Sequence, residues 1–128
     1  MKILLDTHIF LWWVTDDARL SKNVRQIIAD KSNSLYFSSA SGWEIVIKAQ
    51  LGRLNLPKNP DKFITDQLNI NKISVLPIKL EHVLYIYKLA PLHKDPFDRV
   101  LVAQSFVEKL PITTADKQIS RYGVEIVW

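Results

Sequence analysis

Short runs of apolar residues alternate along the chain with longer segments in which apolar residues recur every three or four positions. The short runs predict strands and the longer segments predict amphipathic helices, because the two structures bury side chains with different periods. The predicted strands are residues 2–5, 35–38, 73–78, 111–113 and 124–128. The predicted helices are approximately residues 8–15, 21–31, 41–51, 60–69, 80–89 and 96–109, with a short helix after Asp116.

The order and apolar character of these elements predict the fold class. The runs ILL and LYF are apolar throughout, as expected when helices cover both faces of a sheet. Strands that alternate with helices indicate a mostly parallel sheet with right-handed crossovers. We therefore predict an α/β fold, a three-layer α/β/α sandwich with roughly five strands, formed by one domain over residues 1–128. In such open sheets, ligands bind at the carboxyl ends of the strands.

Composition and charge narrow the possible functions. The chain has 128 residues, 48% hydrophobic and 23% charged, which is ordinary for a folded globular protein. The absence of cysteine excludes disulfides, thiolate metal sites and cysteine nucleophiles. The net charge of +4 weakly favours a polyanionic partner such as nucleic acid. Asp6 and His8 interrupt the apolar N-terminus, and no run approaches the roughly 20 apolar residues of a membrane span, so we expect a cytoplasmic protein without a signal peptide or membrane contact.

Four acidic residues map to the carboxyl edge of the predicted sheet. Asp6 ends the first strand and Asp116 follows the strand at 111–113. Glu44 and Asp98 lie in the first turns of the helices that begin at about residues 41 and 96. Four carboxylates that converge on one edge repel each other unless a cation lies among them. Because no histidine or cysteine accompanies them at ligand spacing, this oxygen-only set suits Mg²⁺ or Mn²⁺ rather than zinc.

Each of these acids also has an ordinary structural explanation. Asp6 and Asp116 could cap the helices that follow them. Ser41 and Glu44 form the S-x-x-E pattern of a capping box. Asp98 could serve only to complement the positive end of its helix dipole. The cluster is therefore predicted from the four positions jointly, not from any one of them.

Several polar neighbours of the acids could support the site. Thr7, Thr113 and Thr114 could donate hydrogen bonds to the carboxylates or be ordinary strand residues. Lys48 lies four residues after Glu44, the spacing of an ion pair on one helix face.

Other residues near the predicted site carry competing interpretations. Asp95 is better explained as the N-cap of its helix than as a ligand. Arg99 could pair with a carboxylate of the cluster, which we favour, or hold a phosphate. Trp12 and Trp13 are expected to pack in the core, but adjacent helical residues point in different directions, so one of them could reach an interface. Solvent-facing or capping roles are expected for the three histidines, His8, His82 and His93.

Four motifs, in this order and spacing, resemble the PIN-domain family. They are LLDTH, SSASGWEIVIKAQLGRL, DPFDRVLVAQS and ITTAD. Within that family the chain is most similar to the VapC-like ribonuclease toxins of type II toxin–antitoxin systems, and the resemblance runs over residues 1–128.

The resemblance implies a metal-dependent endoribonuclease. It assigns the family's acidic quartet to Asp6, Glu44, Asp98 and Asp116, as catalytic residues and ligands of Mg²⁺ or Mn²⁺. It also implies an RNA substrate, inhibition by a cognate antitoxin protein and a tendency to form a homodimer.

The leading hypothesis is metal-assisted hydrolysis of an RNA phosphodiester. Basic residues at the same edge, among them Lys48, Arg53 and Arg99, could position the RNA backbone by charge. The alternative is a non-catalytic domain that binds nucleic acid or protein and whose acids are only helix caps. An aspartyl-phosphate receiver is less favoured, because LLDTH offers one acid where a receiver normally has two.

Overall fold

A computed structural model describes all residues, 1–128, and contains one five-stranded sheet. The strands are β1 (Lys2–Leu5), β2 (Ser34–Ser38), β3 (Ser74–Leu76), β4 (Ile112–Thr113) and β5 (Ile126–Val127). Their order across the sheet is β3-β2-β1-β4-β5, and every neighbouring pair is parallel. The predicted parallel sheet of about five strands is confirmed.

Seven α-helices connect and cover the strands. They are α1 (Thr7–Val14), α2 (Lys22–Ala29), α3 (Ser39–Gln50), α4 (Pro60–Asn71), α5 (Leu80–Tyr85), α6 (Pro96–Glu108) and α7 (Lys117–Ser120). Every predicted helix is present. The one predicted over 80–89 is divided, because α5 ends at Tyr85 and the chain continues as a short 3₁₀ helix, Ile86–Lys88. No helix combines the length and the apolar character that a membrane crossing requires.

The central strand β1 divides the core into two parts. Ile3 and Leu5 pack with apolar residues of α1 to α4, whereas Leu4 packs with those of α6 and α7. This alternation follows from the two-residue period of a strand, which points successive side chains to opposite faces. Both faces of the sheet are therefore covered by helices, as predicted for an α/β/α sandwich.

Two short connections bring functional positions to the carboxyl edge. Leu5 pairs with Thr113 in the sheet, and the Asp6 amide donates a hydrogen bond to the Thr113 carbonyl at 3.1 Å, so the residues that follow β1 and β4 are neighbours. On the other side of β1, strand β2 ends at Ser38, and α3 begins at the next residue without a loop.

Candidate active site

Asp6 and Asp116 are linked through Thr114. Asp6 is 2% exposed, and its Oδ2 accepts a hydrogen bond from the Thr114 hydroxyl at 2.7 Å. The Thr114 Oγ1 in turn accepts a hydrogen bond from the Asp116 amide at 3.0 Å. Asp6 occupies the N-cap position of α1, but its side chain makes no capping hydrogen bond, so the capping explanation for this residue is wrong. Asp116 does cap α7, since its Oδ1 accepts from the Gln118 amide at 2.8 Å.

Glu44 lies in the second turn of α3, not in the first as predicted. The helix begins at Ser39, and the hydroxyl of its N-cap, Ser38, accepts a hydrogen bond from a backbone amide two residues on. The predicted capping box of Ser41 and Glu44 is therefore wrong. The Ser41 hydroxyl instead accepts a hydrogen bond from the Thr7 hydroxyl at 2.7 Å, so Thr7 supports the α1–α3 contact and its hydroxyl does not reach an acid.

The Glu44 carboxylate is buried, and only one of its oxygens is paired. Its Oε2 accepts a hydrogen bond from the Lys48 ammonium at 2.7 Å, which confirms the predicted ion pair. Its Oε1 is buried without any hydrogen-bond partner. Leaving a charged oxygen buried and unpaired is costly, so native proteins normally provide such an atom with a donor or a cation. This oxygen is therefore one that could hold a cation.

Asp98 lies in the first turn of α6, which begins where the sequence predicted. The carboxylate of Asp95 caps this helix by accepting hydrogen bonds from the Phe97 amide at 2.9 Å and the Asp98 amide at 3.1 Å. The expectation that Asp95 is the N-cap is confirmed. Capping by Asp95 leaves the side chain of Asp98 free to face the strand ends.

The electrostatics of Asp98 show that the acids share one environment. Burial, the largest cause, and the charges of four nearby carboxylates together raise the pKa of Asp98 from its ordinary value near 3.8 to about 8. These carboxylates are those of Asp95, Asp6, Asp116 and Glu44. Burial also raises the pKa of Asp6, to which Glu44 adds and which the Thr114 hydrogen bond opposes. The structure therefore brings together the four acids that the sequence placed at one edge.

His93 contacts the site, so the solvent-facing or capping role expected for this histidine is wrong. Its Nε2 lies 3.2 Å from the Asp98 Oδ2, and its Nδ1 lies 2.6 Å from the Tyr122 hydroxyl oxygen. That oxygen also accepts a hydrogen bond from Arg99 at 2.9 Å, so the Tyr122 hydroxyl donates to His93 Nδ1. His93 is then the tautomer that donates from Nε2 to Asp98.

Arg99 forms the far end of this hydrogen-bond chain and pairs with no carboxylate. Besides Tyr122, its guanidinium donates to the Ala90 carbonyl at 3.0 Å. The favoured prediction of an ion pair between Arg99 and a cluster carboxylate is therefore wrong. Its guanidinium instead binds backbone carbonyls of the segment before α6, which also carries His93.

A bound metal requires ligand atoms that lie close together. The one group of three or more Asp, Glu or His side chains whose ligand atoms all lie within 4.8 Å of one another is Glu81, His82 and Glu108, away from the acidic edge. There the buried His82 Nδ1 accepts a hydrogen bond from the Lys79 amide at 2.9 Å, so its proton lies on Nε2 and is donated to Glu108 at 2.8 Å. With neither nitrogen free, His82 is a buried helix cap that joins α5 to α6, not a ligand.

The donor set at the acidic edge does fit a hard divalent cation. It offers four carboxylates, no soft ligand, one buried oxygen without a partner, and an Asp98 carboxyl whose pKa is raised to about 8 by burial and by its acidic neighbours. Such sites suit Mg²⁺ or Mn²⁺. The four carboxylates are spread more widely than a compact ligand group, which is the arrangement that mutual repulsion favours.

Two surface cavities open beside the acids. One, of about 300 Å³, is lined by Asp6, His8, Trp12, Arg19, Ala115 and Asp116. The other, of about 250 Å³, includes Glu44 with the cations Lys48 and Arg53 and the apolar Phe97. A larger cavity, of about 450 Å³, lies among the first residues of β2 and β3 at the opposite edge of the sheet and contains none of the four acids. The acidic edge is thus accessible from both sides.

Fold and site together define a class of protein, an α/β/α sandwich that gathers carboxylates at the carboxyl ends of parallel strands. The PIN domain family matches residues 3–125, and the chain therefore belongs to this family.

Individual relatives agree with this membership. The chain is 33% identical over 58 residues to Ribonuclease VapC16 of Mycobacterium tuberculosis, a match that covers 45% of this chain and 40% of that protein's length. Its fold is similar to that in the crystal structure of VapBC2 from Rickettsia felis bound to a promoter DNA fragment (TM-score 0.72, 14% identity, 99% of this chain and 98% of that one). It is also similar to DNA-bound VapBC from Salmonella typhimurium (TM-score 0.71, 17% identity, 99% and 97%). At these identities the two structures show a shared fold.

Proposed function

We propose that this chain is a metal-dependent endoribonuclease that hydrolyses RNA phosphodiester bonds, and that it acts as the toxin of a toxin–antitoxin pair. The observation that carries the proposal is the convergence of four carboxylates, two of them with pKa values raised by burial and one with an unpaired buried oxygen. Membership of the PIN domain family and the partial match to a VapC ribonuclease support the same activity.

The four acids have the role of holding the metal, Mg²⁺ or Mn²⁺. Asp6, Glu44, Asp98 and Asp116 offer only oxygen atoms, and Thr114 keeps Asp6 oriented through its hydrogen bond. When bound there, the cation would supply Lewis acidity toward the phosphodiester and lower the pKa of a bound water toward neutral pH.

The other residues of the site orient and bind. His93 fixes the Asp98 carboxylate from one side, and the chain of hydrogen bonds through Tyr122 to Arg99 fixes His93. Lys48 and Arg53 line the cavity beside Glu44, and we assign them the role of attracting RNA phosphates by charge. To Arg99 we assign the role of positioning His93, because its guanidinium donates to Tyr122 and to a backbone carbonyl.

The experiment is an RNA cleavage assay with Mg²⁺ or Mn²⁺, with EDTA, and with the variant Asp98→Asn. We expect the cleavage rate to fall at least about 100-fold both with EDTA and in the variant, as for loss of a group that stabilises the transition state. Asp61→Asn is the matched control: the same change in the first turn of another helix that begins with proline, at an exposed position outside the acidic cluster. Undiminished cleavage by Asp98→Asn in EDTA would refute the proposal and favour a binding domain.

An antitoxin partner and a homodimer are part of the same proposal. The VapBC names of the similar structures support the partner. Co-expression with the product of the neighbouring reading frame, followed by co-purification and loss of cleavage, tests the antitoxin. Light scattering of the purified chain tests the dimer.

A further inference from the structure

The cavity beside Asp6 and Asp116 has an aromatic and cationic wall that the proposed chemistry does not use. The guanidinium carbon of Arg19 lies 5.0 Å above the centre of the Trp12 ring. His8 lies 6.1 Å from the same ring, and Trp128 meets it edge-on at 6.2 Å. His8, Trp12 and Arg19 all line the cavity, together with the two acids.

The local sequence explains this arrangement. His8 and Trp12 are four residues apart on α1, so they lie on one face of the helix, while the buried Ile9 and Phe10 face the core. Because α1 begins immediately after Asp6, this face starts at the acidic edge and leads away from it. Trp12 and Trp13 are both partly buried and pack against the core, as expected, and Trp12 in addition lines this cavity.

Arg19 is held in place but keeps a free surface. Its Nε and Nη2 donate to the two carboxylate oxygens of Asp17 at 3.1 and 2.7 Å, which fixes the plane of the guanidinium. Its side chain is nevertheless 69% exposed, and its Nη1 has no partner. Arg19 therefore lies over the Trp12 ring, with a surface open to solvent, before any ligand binds.

We infer that this cavity binds an unpaired nucleobase of the substrate strand, next to the phosphodiester that is cleaved. The inference rests on the proposed function, since it names how the same site recognises single-stranded RNA. Unstacked bases bind to aromatic rings and to arginine planes, and such stacking tolerates any base because each has a flat π face. A cavity of about 300 Å³ is at the small end of the range for ligand sites, which suits one base and not a longer segment.

The test compares a single-stranded RNA with a ribose–phosphate strand of the same length and charge that lacks bases. Binding of each fluorescein-labelled strand is measured by anisotropy in EDTA at low salt, so that the readout does not depend on cleavage. Trp12→Leu keeps an apolar side chain against the core, and its melting temperature verifies folding. Arg19→Gln provides a second variant at an exposed position.

We expect Trp12→Leu to bind the RNA roughly 5- to 100-fold more weakly than wild type, the range for loss of one base–aromatic stack. Its affinity for the baseless strand is expected to be unchanged. Arg19→Gln is expected to weaken RNA binding more than binding of the baseless strand. Trp43→Leu is the matched control, because Trp43 is an exposed tryptophan that lines neither cavity, and it is expected to bind both strands like wild type.

The outcomes separate this inference from the proposed activity. If wild type cleaves RNA and Trp12→Leu is folded but loses equal affinity for both strands, or for neither, the base site is refuted and the nuclease stands. If wild type discriminates the two strands through Trp12 but never cleaves with Mn²⁺, the base site stands and the nuclease fails. Failure of wild type to bind either strand and to cleave refutes both.

Discussion

Replacing Asp98 by asparagine is expected to stabilise the metal-free protein while it abolishes activity. The pKa of Asp98 is about 8 in the folded chain, against an ordinary value near 3.8. Between these values the folded state retains a proton that the unfolded state has lost, so the free energy of unfolding falls as the pH rises from about 4 to about 8. Asparagine does not titrate and carries no charge, so position 98 of the variant does not lower the free energy of unfolding over this pH range.

The size of the effect follows from the same values. Each pKa unit corresponds to about 1.4 kcal/mol, so the shift from 3.8 to about 8 sets an upper bound of about 6 kcal/mol above pH 8. The Asp98 side chain is 13% exposed, and relaxation and water reduce such penalties, so we expect about 2 kcal/mol. For a domain of this size, that raises the melting temperature by roughly 5–15 °C. At pH 4 to 4.5 wild type and variant should differ little.

Thermal melts in EDTA from pH 4.5 to 9 measure this difference. Asp61→Asn is the matched control, because Asp61 also lies in the first turn of a helix that begins with proline, but is exposed. It should change stability by no more than a few tenths of a kcal/mol at any pH. A variant Asp98→Asn that melts below wild type at pH 8.5, or that shows the same pH dependence, would show that burial and repulsion do not destabilise this carboxylate.

Three further predictions concern the metal and two hydrogen-bond networks. Mn²⁺ at 100 times its dissociation constant should stabilise wild type by about 2.7 kcal/mol in melts at pH 7.5 and leave Asp98→Asn unchanged; equal shifts would argue for binding elsewhere. Tyr122→Phe removes the hydroxyl that His93 Nδ1 and Arg99 Nη1 share, so it should lower the free energy of unfolding in denaturant by about 1–3 kcal/mol. An unchanged free energy of unfolding would contradict the hydrogen bonds assigned to this hydroxyl. His82→Ala should lower stability by about 2–4 kcal/mol yet leave cleavage by the folded fraction intact; a matching loss of Mn²⁺ binding would show that a metal does bind there.

The fold was predictable because its signal is local. A parallel sheet covered on both faces requires short runs without polar residues, and β1 and β2 have them. Boundaries were less predictable at the edge of the sheet. The strand predicted over 73–78 is only Ser74–Leu76. It lies at the edge of the sheet, and its Val75 side chain is exposed, so little packing is available to lengthen it.

The site was predictable as a set of acids but not as a network. Asp6, Glu44, Asp98 and Asp116 each follow or face a strand end, and the topology of a parallel sheet suffices to bring them together. The contacts of His93 and Arg99 depend on how the irregular segment before α6 folds back and on Tyr122, more than 20 residues further along the chain. The periodic pattern of apolar residues carries no information about such long-range contacts.

The start of α3 shows a different reason for error. Ser38 and Ser41 both precede a helical pattern, and only Ser41 has a glutamate three residues later. The capping-box pattern favoured Ser41, yet β2 ends at Ser38 and its hydroxyl caps the helix there. Ser41 is then inside the helix, where its hydroxyl meets Thr7 of α1. A tertiary contact thus decided between two locally acceptable caps.

The central place of β1 also determines when the acidic edge exists during synthesis. The Asp6 carboxylate and its partner Thr114 are separated by 108 residues, and the edge of β1 opposite β2 is closed only by β4. At roughly 5–20 residues per second, a ribosome needs about 5–20 s to make the intervening chain. Throughout that interval the nascent chain lacks Thr114 and Asp116 and has one side of its central strand unpaired. A product truncated before β4 therefore carries an incomplete site and an exposed strand edge, which makes it prone to aggregation.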